Sequence, residues 1–391
     1  MPDAVIVSAC RTAIGTSRKG TLTETDASVL ARAVVDESVA RTGLGAEDFD
    51  DLVMAEALYG GGVIGRYVAV EAGLTSVPGQ ADNRHCASGL TAVQTAAASI
   101  MSGMDRCVIA GGVQSMSTAP AEKKRVAGTN DWVDWMSLSH PDTPEAPARD
   151  MTITVGWNTA KIAGISREEM DAWALQSHER AIGAIDDGRF ATEIVPIKVT
   201  TSDGSAVVFE IDEHPRRGSS MEKLAGLKPL HPEIPGFSIT AGNSSGINDA
   251  ASALVLTADD FAASRGLVPL ATVRAWASVG VDPYETGMAP TVVIPKALER
   301  AGFAVGDVAL WEINEAFAVV PVAACKTLGI DPALVNISGS GCSLGHPIAA
   351  TGARMLTTLV HDLRRRGGGV GVAAMCAGGG MGSAVVVEVA G

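Results

Sequence analysis

The sequence predicts a duplicated α/β protein, two halves of one topology, each a mixed sheet with helices on its faces. Three observations carry this. First, Ala40-Arg41-Thr42-Gly43-Leu44, Asp48-Phe49 and the run Leu52 to Ala57 reappear 259 positions later as Glu299-Arg300-Ala301-Gly302-Phe303, Asp307-Val308 and the run Trp311 to Ala316. Each copy reads as a helix stopped by glycine, a short loop and a buried strand. Second, Cys107 to Gly112 parallels Ala374 to Gly379 at a similar offset. Third, the 21 uncharged positions between Arg366 and Glu388 include eight glycines. A helix loses about 1 kcal/mol per interior glycine, so this stretch reads as two buried strands, 370–375 and 384–389, around a turn, and not as a membrane span.

Composition sets the class. A chain of 391 residues, 47% hydrophobic, is long enough for two or three ordinary cores. Its net charge of −14 opposes general attraction to nucleic acid or to anionic membranes. Six cysteines (Cys10, Cys86, Cys107, Cys325, Cys342, Cys376) form no CxxC pair, and Met1-Pro2-Asp3-Ala4 lacks the basic start and apolar core of a signal peptide, so a reducing cytoplasm is expected. Cys342 and His346 have a spacing a metal could use, but no second ligand pair accompanies them and no metal site is expected.

Taken in order, the first half is expected over 1–265 and the second over 266–391, with an insertion at about 115–246 inside the first. Cys86 ends the polar run Asp82-Asn83-Arg84-His85 and opens a small-residue helix. A cysteine in a first helical turn faces unpaired N–H groups and the positive end of the dipole, which stabilise a thiolate. The insertion holds Trp132, Trp135, Trp157 and Trp173, a proline-rich loop from His140 to Pro147, and a helix opened by the capping box Ser166-x-x-Glu169 and running to about Asp187. Insertions of this length form lids, binding walls or structural flaps. In the second half, Pro347 directly after His346 favours a helix start. If the halves pack about a pseudo-two-fold axis, Cys86 faces Gly345-His346-Pro347, and the strand end at Cys376 lies beside both.

These residues spell a family. Asn83-Arg84-His85-Cys86-Ala87-Ser88-Gly89-Leu90, Asn314-Glu315-Ala316-Phe317-Ala318, the run Gly341 to Pro347 and Cys376-Ala377-Gly378-Gly379-Gly380-Met381-Gly382 resemble the motifs of thiolases, from Val5 to the last strand. The resemblance implies the duplicated five-layered α-β-α-β-α thiolase fold with an inserted loop domain, assembled as a homodimer or homotetramer. It implies a β-ketothiolase, an acyltransferase of fatty acid metabolism and β-oxidation that makes or cleaves 3-ketoacyl-CoA through an acyl-cysteine. Coenzyme A, acetyl-CoA and 3-ketoacyl-CoA are then substrates, with no tightly bound cofactor.

The same resemblance implies the roles. Cys86 is the nucleophile and His346 takes its proton. Cys376 is the base at the acetyl α-carbon or at the coenzyme A thiol. Asn314 holds a water that joins His346 around the enolate oxygen, and the N–H groups of Cys86 and Gly378 form a second oxyanion hole. Arg216, beside Arg217, Lys223 and Lys228, matches the position contacting the nucleotide end, and Ser245 a serine lining the pantetheine tunnel. Each residue has a plainer reading: Asn314 as a helix cap, His346 as a satisfied core histidine, Cys376 and Cys86 as buried packing, the arginines as a solvated loop.

The chain departs from the family at Met151, where a histidine is usual, at Trp157, where a glutamate is usual, and at Cys342-Ser343, where small apolar residues are common. The loop 115–149 matches neither the short-chain nor the long-chain subtype, which leaves acyl length open. Two alternatives stand beside the thiolase reading: a ketoacyl synthase-like condensing enzyme, against which Cys376 argues, and a noncatalytic acyl-CoA-binding protein.

Overall fold

The computed structural model describes residues 2–58 and 63–391. Met1, which the leader argument includes, lies outside them. The first half supplies strands β1 (Ala4–Thr12), β2 (Asp51–Ala55), β3 (Gln80–Asp82), β4 (Cys107–Gln114) and β5 (Asn248–Ala258), and the second half β6 (Ala271–Gly280), β7 (Val308–Ile313), β8 (Gly369–Ala377) and β9 (Met381–Val389). Across the first half the order is β1-β5-β4-β2-β3, and across the second β6-β9-β8-β7.

The strand directions prove the duplication. β1–β5 and β5–β4 are antiparallel while β4–β2 and β2–β3 are parallel. β6–β9 and β9–β8 are likewise antiparallel and β8–β7 parallel, and a parallel bridge from Trp311 to Val335 stands where β2 meets β3. The halves join where β1 and β6 pair antiparallel at Val5–Thr272 and Ile6–Ala271, so one sheet wraps continuously through both.

Helices fill the layers: α1 (Ala27–Thr42), α2 (Ser88–Met101), α3 (Arg167–Asp186), α4 (Ala289–Ala301), α5 (Val319–Leu328) and α6 (Thr351–Arg366). α1 packs on β1 and β5, and α4 on β6 and β9, as the outer layers. α2 and α6 lie against each other between the two halves of the sheet. Their sequences suit that place. α2 is rich in alanine, and the first thirteen residues of α6 are all buried, as a helix covered on every side requires. The charges of α6 collect in its last turn as Arg364, Arg365 and Arg366, where the negative end of the helix dipole favours cations. Thus the expected five-layered α-β-α-β-α arrangement is observed.

One pair of glycines makes the central layer possible. A Cβ on Gly89 would lie 2.7 Å from Ala353 N, and one on Gly352 would lie 2.3 Å from Leu90 N. Each helix start therefore touches the other backbone to backbone, and both point their first turns toward the same crevice.

The repeated helix–glycine–strand unit stands as expected, with Gly43 and Gly302 capping α1 and α4 in the left-handed region. The second self-match needs correction. Leu52 pairs with Ile109 and Trp311 with Val372, so Cys107 corresponds to Val370 and not to Ala374. The glycine pairs that suggested the match do different jobs. Gly112 lies inside β4 because the Ala349 carbonyl leaves no room for a Cβ there, 2.1 Å away, whereas Gly378 and Gly379 follow the end of β8. The last two strands do form, over Gly369–Ala377 and Met381–Val389, and no helix among the described residues is long and apolar enough to cross a membrane. The insertion carries α3, capped at Ser166 with the reciprocal Glu169 bond, and an exposed hairpin pairing Glu122–Arg125 with Trp132–Trp135.

Candidate active site

A cavity of about 810 Å³ opens between the two halves and the insertion. Cys86, His346, Cys376 and Gly378 all line it, with Met116, Met151, Phe317 and Ile348 as apolar wall. The convergence expected from the repeat is therefore present. Arg216 and Ser245 line the same cavity, as do Arg217 and Lys223; Lys228 does not, and Asn314 stands behind the wall, fully buried.

Cys86 sits in a tight turn held by its neighbours. Asn83 Oδ1 accepts the His85 N–H at 2.9 Å, and Ser88 Oγ accepts the Arg84 N–H at 2.9 Å. His85 adopts φ +47°, a conformation most side chains avoid, which turns the chain sharply just before the sulfur. The Arg84 guanidinium fastens this turn to the second half through Ser278 Oγ at 2.6 Å.

Two expectations about Cys86 are corrected here. α2 begins at Ser88 with Ala87 as its cap, so Cys86 precedes the first helical turn and is not within it. Its thiolate is also not the resting form. Burial pushes the thiol up to about 11, against smaller opposing help from the backbone N–H groups of Gly378 and of Cys86 itself. Those two N–H groups nevertheless both address the sulfur, as an oxyanion hole beside it requires.

His346 lies in the turn before α6. That helix starts at Thr351, four residues beyond the expected start at Pro347, because Pro347 opens a turn closed by Ala350 N and Thr351 N on its carbonyl. Asn248 fixes the entry to this turn. Its Oδ1 accepts the His346 N–H at 3.0 Å, its Nδ2 donates to the Gly15 carbonyl at 3.0 Å, and it fills the space a side chain would need at Gly345, where φ is +104°. The imidazole Nδ1 lies 2.6 Å from Thr351 Oγ1, and Nε2 lies 3.4 Å from Asn314 Nδ2. Burial first, and the nearby Arg354 cation second, hold His346 down to about 3, so the ring is neutral at working pH.

Cys376 is the penultimate residue of β8 and is 2% exposed. Burial raises its thiol strongly, and the charge of the adjacent Cys86 sulfur adds to the shift. Asn314 Oδ1 has no hydrogen-bond partner among the described residues. Beside it, Glu315 anchors the site to the insertion, accepting from Trp173 Nε1 at 2.9 Å, Ser177 Oγ at 2.6 Å, Asn336 Nδ2 at 2.7 Å and Cys342 N at 3.0 Å. Cys342 lines the cavity, its thiol kept protonated by burial.

Sequence reasoning missed Asn248, Thr351 and the cavity-lining His178 and His214, which burial holds down to about 4. Thr351 had a faint signal: a hydroxyl one turn after His346, at the mouth of a helix. The others had none, because their partners are distant in the chain. Among the described residues no cluster of three or more His, Cys, Asp or Glu could hold a metal ion.

Two thiols and a neutral imidazole in one crevice of a duplicated α/β fold define a thiol-dependent group-transfer site. The family models for the thiolase N-terminal domain and C-terminal domain match residues 4–260 and 267–389. Acetyl-CoA acetyltransferase of Cupriavidus necator is 38% identical over 99% of this chain and 100% of its own. A probable acetyl-CoA acetyltransferase of Escherichia coli is 41% identical over 99% of each chain. Bacillus anthracis acetyl-CoA acetyltransferase superposes with a TM-score of 0.91 at 38% identity, and human mitochondrial 3-ketoacyl-CoA thiolase with 0.91 at 30%, each over 100% of this chain and 99% of the other. The chain belongs to the thiolase family and is a β-ketothiolase, an acyltransferase.

Proposed function

We propose that the protein condenses two molecules of acetyl-CoA, or cleaves a short 3-ketoacyl-CoA, with Cys86 as acyl carrier. The observation that carries this reading is the single cavity lined by Cys86, His346 and Cys376. The bulky Met116, Met151 and Phe317 line it, and relatives named acetyl-CoA acetyltransferase support a short acyl group. The ketoacyl synthase-like and noncatalytic alternatives are not favoured.

In the cleavage direction the Cys86 S–H proton passes to His346 Nε2 as sulfur attacks the 3-keto carbon. The N–H groups of Cys86 and Gly378 hold the tetrahedral oxyanion, an effect typically worth about 3–4 kcal/mol per donor. The C2–C3 bond then breaks, and the acetyl-CoA enolate, its oxygen held by His346 and a water on Asn314, takes a proton from Cys376 at carbon. Coenzyme A enters, gives its thiol proton to the Cys376 thiolate, and its sulfur displaces Cys86 from the acyl group, the departing Cys86 sulfur taking back the proton held on His346 Nε2. Sulfur replaces sulfur of similar basicity, so transfer is nearly isoenergetic and reversible. A raised Cys376 thiol suits this cycle, being a proton donor first and a strong base afterwards.

Arg216 at the cavity mouth would meet the nucleotide phosphates, and Ser245 would line the pantetheine path. We assign the halves to 1–265 and 266–391, a division supported by the strand order, in which β1 to β5 lie together on one side of the sheet and β6 to β9 on the other. A homodimer or homotetramer is supported by the exposed sheet-edge strand β3 and by Trp132 and Trp135, 62% and 40% exposed. Six unpaired cysteines suit a reducing cytoplasm. Mass spectrometry after mixing with acetoacetyl-CoA tests the reading: an acetyl adduct on Cys86 supports it, and an unmodified protein with no turnover overturns it.

A further inference from the structure

Among the described residues the His346 ring nitrogens have two hydrogen-bond partners, Thr351 and Asn314, and both bear on which nitrogen carries the proton. Thr351 Oγ1 lies 2.6 Å from Nδ1, and the same hydroxyl lies 2.9 Å from the Pro347 carbonyl, to which it donates. A threonine hydroxyl has one hydrogen. With that hydrogen given to Pro347, the contact to the ring requires Nδ1 to be the donor, which leaves Nε2 bare. On the other side the Asn314 Nδ2 amide, a donor, faces Nε2 at 3.4 Å, which also requires a bare nitrogen there. His346, Thr351 and Asn314 are all buried, so bulk water does not compete for these positions.

We propose that Thr351 is a positioning residue for acyl transfer: its hydroxyl holds His346 in the Nδ1–H tautomer, so that Nε2 is the nitrogen able to accept the Cys86 proton. Because burial keeps both the Cys86 thiol and the imidazole neutral, no standing ion pair orients the ring, and the Thr351 hydroxyl supplies that orientation. Asn248 fixes the backbone of the same turn, but it touches His346 only at the main chain and leaves the tautomer free. When Nε2 takes the proton, Nδ1–H still points at Thr351 Oγ1, so the imidazolium keeps an acceptor in a site that offers few others. The inference rests on the reading of His346 as proton acceptor.

The test compares Thr351→Val, Thr351→Ser and His346→Asn in the full chain. Rapid-quench mass spectrometry measures the rate of Cys86 acetylation by acetyl-CoA, and ¹⁵N NMR of histidine-labelled protein reads the His346 tautomer by difference from His346→Asn. Thr351→Val, which keeps shape and removes the acceptor, is expected to slow acetylation about 100-fold, within the range that general-base assistance supplies. The acetyl-CoA concentration giving half-maximal rate should stay unchanged, the Nδ1–H signature should be lost, and Thr351→Ser should restore both rate and signature. A Thr351→Val enzyme acetylating at the parent rate while His346→Asn is slow overturns the inference and leaves the proposed function standing. Parent rates in both variants overturn His346 as the proton acceptor and the inference with it, whereas a parent enzyme that forms no acetyl adduct on Cys86 and shows no turnover overturns the function reading itself. A slow Thr351→Val enzyme that retains the Nδ1–H signature, or a Thr351→Ser enzyme as slow as the valine variant, also overturns the inference.

Discussion

Cys86 and His346 line one cavity and both rest neutral. The thiol is held up to about 11 and the imidazole down to about 3, so between these limits neither group carries charge. The sign is plain: a raised thiol loses its proton only as pH climbs toward 11, and a lowered imidazole gains one only as pH falls toward 3. In the free enzyme, alkylation of Cys86 by iodoacetamide should therefore keep rising across pH 7 to 10, by about tenfold per unit as the thiolate fraction grows. A plateau reached by pH 7 would show a standing thiolate instead. Acetylation by acetyl-CoA, which moves the proton within the complex, should stay nearly flat over the same range.

At the scale of elements, the site depends on the meeting of α2 and α6. Gly89 and Gly352 let the two helix starts touch, which sets the Cys86 turn against the His346 turn. Gly89→Ala should cost about 1–3 kcal/mol, the usual range for overpacking, and should lower activity as well as the midpoint of thermal unfolding. Alanine at Gly183, inside α3 where a Cβ meets nothing within 4 Å, is the control: it should leave activity within error and raise the midpoint slightly, since a helical glycine costs about 1 kcal/mol against alanine. On α3 itself, Ser166→Ala removes a cap that reciprocates with Glu169, a loss of about 1 kcal/mol read by the same melt.

How much of this was legible follows from the kinds of residue involved. Cys86, His346 and Cys376 are scarce residue types set in short motifs, and their convergence followed from the repeat. Asn248 and Thr351 are common types whose importance lies in contacts: Asn248 reaches His346 across 98 positions. Helix capping was readable at Ser166 because its partner is three residues away. The offset of the β4–β8 match was misread because glycine pairs recur for different reasons, close packing at Gly112 and the end of a strand at Gly378. The resting state of Cys86 was misjudged because local sequence shows a helix start but not the burial that outweighs it.

For the molecule as a whole, duplication turns two similar halves into one asymmetric site. The first half gives the Cys86 sulfur from the turn before α2; the second gives the His346 imidazole from the turn before α6 and the Cys376 sulfur from the end of β8. The insertion closes the cavity and is fastened by Glu315, which joins α3 to the motif following β7. The central claim is that the two sulfurs divide the work, one carrying the acyl group and the other moving protons. Treating Cys376→Ser with acetyl-CoA and measuring both the mass of the Cys86 peptide and the rate of acetoacetyl-CoA formation tests it most directly. The account predicts an acetylated Cys86 with condensation lost; condensation at the parent rate, or no acetyl group on Cys86, would contradict it.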